Sequence, residues 1–345
     1  MNDILFIGDC GNYTDTSNGV YAKNLQLLAR LKELYPNVRH VNTNGWKKNP
    51  LVLLNVFMSL WKFRHKHVII SLNTISAYKL IKATSLIIPS IKINYFVIGG
   101  ILPDFIKNMS AESRKPYRIV KWFMVESESM KTCMNKLGYD NVLHVPNFKK
   151  ISFIPQKTHS NNDVFKFVFL SRIIPEKGCD LIFDAVKKLH AKIGRGKFTV
   201  HFFGKIDEQY KAAFLKSIDN TADTEYKGFL WLGDTSNYSV LATYSSMLFP
   251  TYWKGEGFPG ILIDAMIAGT PVIASEWGYN TEIISHNQTG LIIPSKDSDA
   301  LSDAMLQLID NRQKVAYMSS KCQEYCTKYD TDNILTERLF CTIFK

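Results

Sequence analysis

Short apolar runs alternate with helical stretches twice along this chain, six runs in each round, and few architectures can accommodate that pattern. The first round comprises Ile4 to Gly8, Val38 to Asn42, Val68 to Leu72, Ile93 to Ile98, Phe123 to Glu126 and Val142 to Val145. The second comprises Phe165 to Leu170, Phe198 to Phe203, Tyr226 to Phe229, Met247 to Phe249, Val272 to Ala274 and Leu291 to Ile293. Runs this short and apolar, with helices between them, read as parallel strands covered on both faces. The first of the intervening helices starts near Asn18-Gly19 and carries Val20, Leu27, Leu28, Leu31 and Leu34 at helical spacing. At 345 residues the chain is longer than one core usually grows. The prediction is α/β: two doubly wound, Rossmann-like domains whose strand ends face a central cleft. The polar segment Lys149 to Asp163, centred on Gln156 to Asn162, reads as the linker, giving domains 1–155 and 156–345.

The chemistry concentrates after the run ending at Pro250. Gly255 to Gly257 form a loop, Pro259 suits a first helical turn, and Ile261 to Ala268 read as a short apolar helix closed by Gly269. The amides of Gly257, Phe258, Pro259-Gly260 and Ile261 surround that helix start, where unpaired N–H groups favour an anion. Glu256 precedes the helix and Asp264 lies about 6 Å along it. Two carboxylates flanking an anion site can each accept hydroxyl hydrogens from a different part of one ligand, a ribose and a sugar ring.

Several segments besides this block resemble the group 1 glycosyltransferases, also called glycosyltransferase family 4. They are Phe169 to Gly178 with Arg172 and Lys177, Asn147 within Val145 to Phe148, Tyr279 to Glu282, and Thr289 to Pro294. The resemblance implies the GT-B architecture, with a last helix, within Arg312 to Lys345, crossing back to the N-terminal domain. It also implies that Arg172 and Lys177 bind the diphosphate of a nucleotide-sugar donor and that Glu256 holds the donor sugar. Asp264, Glu282 and the amides from Gly257 to Ile261 complete the donor site. Transfer with retention at the anomeric carbon is implied, with the leaving phosphate accepting the acceptor's proton. Two departures stand out: the family's second acidic residue is usually Glu, where this chain has Asp264, and a His often found near the fourth strand end is here Ile98.

No metal is expected, because fixed cations can neutralise the leaving phosphate. Asp297-Ser298-Asp299 is read as a helix cap, and the eight histidines show no ligand spacing. No cofactor is expected beyond the nucleotide-sugar substrate. The six cysteines include no C-x-x-C pair and read as reduced thiols. Asp3 to Gly8 reads as a buried strand rather than a signal peptide, so a cytoplasmic protein is expected.

Charge is divided unevenly. Residues 1–150 hold 21 Lys and Arg against 9 Asp and Glu, whereas residues 151–345 hold 21 against 22. Between Glu33 and Asp104 there is no acidic residue. This stretch points to an anionic partner, read as the inner face of a cell membrane with the protein peripherally associated, and not as nucleic acid. Within it, residues 51–63 form a helix with Asn55, Ser59 and Lys62 in one stripe and apolar residues elsewhere. The apolar residues are expected to be buried between the sheet and a neighbour. Trp46 and Trp61 flank them, which keeps open an alternative in which the helix lies in a lipid interface.

The acceptor is assigned to the N-terminal half, at Gly11, Asn12, Gly19, Gly99 and Gly100, where turns permit close backbone approach. A saccharide on a lipid diphosphate fits the basic stretch, as in capsule or exopolysaccharide assembly. Two alternatives remain open from sequence: a nucleotide-sugar epimerase of the same architecture, and a non-enzymatic basic protein binding membrane surfaces or nucleic acid.

Overall fold

The structure, a computed structural model, describes residues 3–13, 19–152, 154–155, 164–229 and 236–345. Ser17, Asn18 and the linker centre Gln156 to Asn162 lie outside the described residues. The chain divides into two compact units. One comprises Met1–Lys150 with Tyr329–Lys345, the other Ile151–Lys328, so the first break falls at residue 150 rather than 155.

In the first unit, β1 (Ile4–Gly8), β2 (Val38–Asn42), β3 (His67–Asn73), β4 (Ile93–Ile98), β5 (Val120–Val125) and β6 (Val142–His144) form one sheet in the order β2-β1-β3-β4-β5-β6. Every pairing is parallel. β1 is buried throughout, as its unbroken apolar run requires when helices cover both faces. β5 starts three residues earlier than its sequence suggests, and Glu126 falls just beyond it. The Glu126 carboxylate accepts from Lys23 Nζ at 2.5 Å and from the Gly99 amide at 3.3 Å.

Three helices matter below: α1 (Gly19–Leu34), α2 (Pro50–Lys62) and α3 (Thr74–Ile87). α1 buries Leu27, Leu28 and Leu31 against Ile4, Phe6 and Ile69. The same core receives Leu335, Phe340, Ile343 and Phe344 from the returning segment. Lys149 and Asp330 form a bridge where the chain leaves and re-enters this unit.

α2 overturns the expected burial. Its buried residues are Val56, Ser59 and Leu60, while Leu51, Leu54, Met58 and Trp61 are exposed. Of the polar stripe, Ser59 is buried, Asn55 is half-buried and Lys62 is exposed; Arg39 of β2 donates to Asn55 Oδ1 at 3.3 Å, and Ser59 Oγ, one turn along the same helix, donates to that atom at 3.4 Å. Among the described residues no helix is long and apolar enough to cross a membrane.

In the second unit, β7 (Phe165–Leu170), β8 (Phe198–Phe203), β9 (Thr224–Gly228), β10 (Ser246–Phe249), β11 (Val272–Ser275) and β12 (Gly290–Ile293) form a parallel sheet in the order β12-β11-β10-β7-β8-β9. Its core is rich in phenylalanine, with Phe165, Phe167, Phe169, Phe183, Phe198, Phe202 and Phe214 all buried. β9 begins two residues before the expected Tyr226 and stops short of Phe229, which is exposed. The order runs outward from β7 through β8 and β9, then returns to place β10 on the other side of β7. That reversal opens a crevice at the carboxyl ends of β7 and β10, where open α/β sheets bind ligands.

Candidate active site

Three segments meet at this crevice: the turn after β7, the loop after β10 and the turn after β11. Lys177 ends a 3₁₀ turn, Pro175–Lys177, and Gly178 follows it at φ +86°. A Cβ there would lie 2.3 Å from the Pro250 carbonyl oxygen, so only glycine lets the two segments approach this closely. The segments are also stitched together by the Tyr252 amide, which donates to the Glu176 carbonyl at 2.8 Å.

That approach sets the electrostatics. Lys177 Nζ lies 2.5 Å from Glu256 Oε2, and the two side chains are 6% and 7% exposed. The same oxygen accepts from Thr251 Oγ1 at 3.0 Å. Burial pulls the Lys177 ammonium below the usual lysine range, while Glu256 draws it back up and Arg172 pushes it down. Glu256 is therefore buried and ion-paired. Sequence gave Lys177 and Glu256 separate tasks, phosphate and sugar; the structure makes them partners.

Trp253, absent from the sequence reading, organises the cations. The Arg172 guanidinium lies 4.8 Å and the Lys177 ammonium 4.9 Å from its ring, and Lys177 is also 5.4 Å from that of Phe249. The Trp277 indole N–H holds the Trp253 carbonyl at 2.8 Å. A tryptophan inside a glycine-rich loop was the available signal, but its cationic partners lie far away in sequence. Gly278, on the turn after β11, backs onto Glu256.

The expected helix forms at Gly260–Ile267, with Pro259 as its N-cap rather than its first residue and no side chain capping that end. The amides around Gly260 and Ile261 therefore head the helix without a side-chain acceptor. Asp264 sits in the second turn, almost fully buried. It neighbours Tyr238, whose phenol is held well above the ordinary range by burial first and by this carboxylate second. Glu282, half-buried in the short helix Asn280–Ile283, follows the end of β11. Glu256, Lys177, Arg172 and the turn carrying Gly278 are thus brought together, while Asp264 and Glu282 take positions in the helices that follow β10 and β11. Asp297 caps the helix Ser298–Asp310 by accepting from the Ala300 amide, and Asp299 pairs with Lys188.

In the first unit, the Gly11 and Asn12 turn follows β1, and Gly99 and Gly100 follow β4, both at carboxyl ends of strands. Gly19 opens α1. Cys10 Sγ lies 3.6 Å from His40 Nε2, but burial pushes the thiol up to about 12 and lowers the imidazole, so the pair is no nucleophile and base.

Two successive doubly wound units, the second with its polar groups gathered at a strand-order reversal, define the class of the GT-B fold. The likeness to solved structures extends over the whole chain. Sucrose-phosphate synthase from Thermosynechococcus elongatus superposes with a TM-score of 0.76 at 13% identity, covering 100% of this chain and 99% of that one. Anabaena HepE, solved in complex with UDP and glucose, gives 0.73 at 17% identity and 99% coverage of both. At such identities the likeness concerns the fold. Within that class the chain belongs to the glycosyl transferases group 1, whose family model matches residues 150–325, just over half of it.

Among its relatives is the poly(ribitol-phosphate) alpha-N-acetylglucosaminyltransferase of Staphylococcus aureus, 25% identical over 208 residues, which are 60% of this chain and 40% of that protein. Another is the GDP-mannose-dependent alpha-(1-6)-phosphatidylinositol monomannoside mannosyltransferase of Mycobacterium tuberculosis, 27% identical over 171 residues, 48% of this chain and 44% of that protein. The matches thus span less than half the length of these curated relatives.

Proposed function

We propose that this protein is a retaining, metal-independent glycosyltransferase that moves a sugar from a nucleotide diphosphate to a saccharide carried on a lipid diphosphate. Its setting is cell-surface polysaccharide assembly, such as capsule or exopolysaccharide, in the cytoplasm at the inner face of the membrane. The observation that carries the reading is the buried Lys177–Glu256 pair at the crevice of the second sheet, with Arg172 beside it across Trp253. Glu256 neutralises Lys177 until a diphosphate arrives, and Lys177 then shares its protons with phosphate oxygens. That frees lone pairs of Glu256 for the hydroxyls of the donor sugar. Arg172 and the amides at the start of the helix Gly260–Ile267 supply the remaining positive potential, the role a metal ion would otherwise fill.

In the reaction the bond from the anomeric carbon to the diphosphate oxygen breaks and a bond to the acceptor oxygen forms on the same face. The acceptor's proton passes to the leaving phosphate, so no histidine is needed where Ile98 stands. Asp264 and Glu282 are assigned to the nucleotide and the sugar. The turns at Gly11-Asn12, Gly19 and Gly99-Gly100 are assigned to the acceptor. The relatives' names, one acting on a ribitol-phosphate polymer and the other on a phosphatidylinositol mannoside, support an acceptor bearing phosphate.

The test is release of nucleotide diphosphate from a panel of nucleotide-sugars, with and without lipid-linked acceptors. Arg172→Ala and Glu256→Gln should each lose transfer while unfolding at wild-type temperature within a few degrees. Wild-type turnover in either variant refutes the assignment, and conversion of the donor into an epimeric nucleotide-sugar without any acceptor identifies an epimerase instead.

A further inference from the structure

α2 buries Val56 and Leu60 yet leaves a second row of large apolar side chains uncovered. Asn55 accepts from Arg39 of β2, Ser59 is buried, and Leu51, Leu54, Met58 and Trp61 stand 71%, 54%, 56% and 54% exposed. At positions i, i+3, i+7 and i+10 they form one continuous stripe along the helix. α2 links β2 to β3 and α3 links β3 to β4, two crossovers stepping in the same direction along the sheet. Because parallel crossovers are right-handed, both helices lie on the same face. α3 repeats the arrangement: Ile75 and Leu86 are exposed, and the exposed Lys79 and Lys82 lie between them on the same stripe.

The charge around these stripes has one sign. Exposed Lys47 and Lys48 precede α2, exposed Lys62 ends it, and the Arg64 guanidinium stacks 4.9 Å over the Trp61 ring. The two helices fall wholly inside the interval from Glu33 to Asp104 that holds no carboxylate. A symmetric contact between two copies through these two helices would set cation against cation, since neither α2 nor α3 carries an acid to pair with. A partner that is apolar beneath and anionic at its surface satisfies both features.

We infer that α2, assisted by α3, is an interfacial anchor that inserts Leu51, Leu54, Met58 and Trp61 among the acyl chains of an anionic bilayer. The flanking lysines and Arg64 meet the lipid phosphates at headgroup depth. This deepens the membrane-surface part of the proposed function by naming the element responsible, and it rests on that reading only for its purpose.

The test uses the full chain and co-sedimentation with vesicles of phosphatidylcholine alone or mixed with phosphatidylglycerol. The wild type should pellet with the mixed vesicles, less so with phosphatidylcholine, and less again at high salt. Leu54→Glu combined with Met58→Glu should weaken binding about tenfold or more, with circular dichroism unchanged because both residues are exposed. Equal partitioning of wild type and variant, or no wild-type binding, overturns the inference. So does a wild-type dimer that the double substitution dissociates, which would make the stripe a contact between copies. Transfer to a soluble acceptor without vesicle binding refutes the anchor alone, and vesicle binding that the double substitution abolishes stands whether or not any donor is turned over.

Discussion

Glu256→Ala tests the logic of the site through stability as well as catalysis. The carboxylate lies 2.5 Å from an ammonium, and neither side chain is more than 7% exposed. Removing it leaves the buried Lys177 ammonium without its carboxylate partner. Breaking a buried pair from one side costs about 3–5 kcal/mol. The Trp253 and Phe249 rings at 4.9 and 5.4 Å soften the loss, which places the expectation near the lower end, about 3 kcal/mol. Urea unfolding of the second unit, followed by tryptophan fluorescence over a pH series, measures it.

The pH dependence has a definite sign. Burial already holds Lys177 below the usual lysine range, and loss of Glu256 lowers it further. Between that depressed value and the ordinary lysine pKa the unfolded chain binds more protons than the folded one, so stability rises with pH across the window. The deficit of the variant should therefore be largest near neutrality and shrink as the solution becomes alkaline. Glu256→Gln, which keeps an acceptor for Lys177, should lose less. Lys177→Met combined with Glu256→Leu should recover most of the loss. A deficit within about 0.5 kcal/mol, the scale of ordinary surface changes, or one that widens with pH would refute the buried pair.

Trp253→Ala should weaken donor binding about tenfold, because two cations lose their common aromatic face; Trp253→Phe should lose less, and calorimetry with a nucleotide-sugar decides. Gly178→Ala should destabilise by about 1–3 kcal/mol and impair transfer in step, since its Cβ would meet the Pro250 carbonyl at 2.3 Å in a left-handed backbone; an unchanged melting temperature would contradict this. At pH 8, iodoacetamide should modify the exposed Cys133 and Cys341 well before the buried Cys10 and Cys179, whose thiols burial keeps protonated; peptide mapping reads the order.

Sequence revealed the strands because a strand covered on both faces must be apolar at nearly every position, as β1 and β10 are. It revealed the helix after Pro259 because proline and glycine punctuate both its ends. It identified Glu256, Lys177 and Arg172 as site residues, but not the pairing of the first two. That contact links positions 177 and 256 across two strand ends, and no local pattern encodes it. Trp253 was missed for the same reason. The orientation of α2 was misread because a narrow polar stripe ordinarily faces water. Here Arg39 of β2 gave Asn55 a partner and Ser59 was buried, and periodicity says which residues share a face, not what that face meets.

The return of residues Tyr329–Lys345 to the first unit bears on the order of folding. Leu335, Phe340, Ile343 and Phe344 share one core with Phe6, Leu27 and Leu31, and Arg30 Nε grips the Leu335 carbonyl at 3.1 Å. On the ribosome, that core stays incomplete until all of Ile151–Lys328 has been synthesised. The unit made first is therefore finished second. The intervening unit, whose contacts lie within one uninterrupted stretch, can close on its own beforehand.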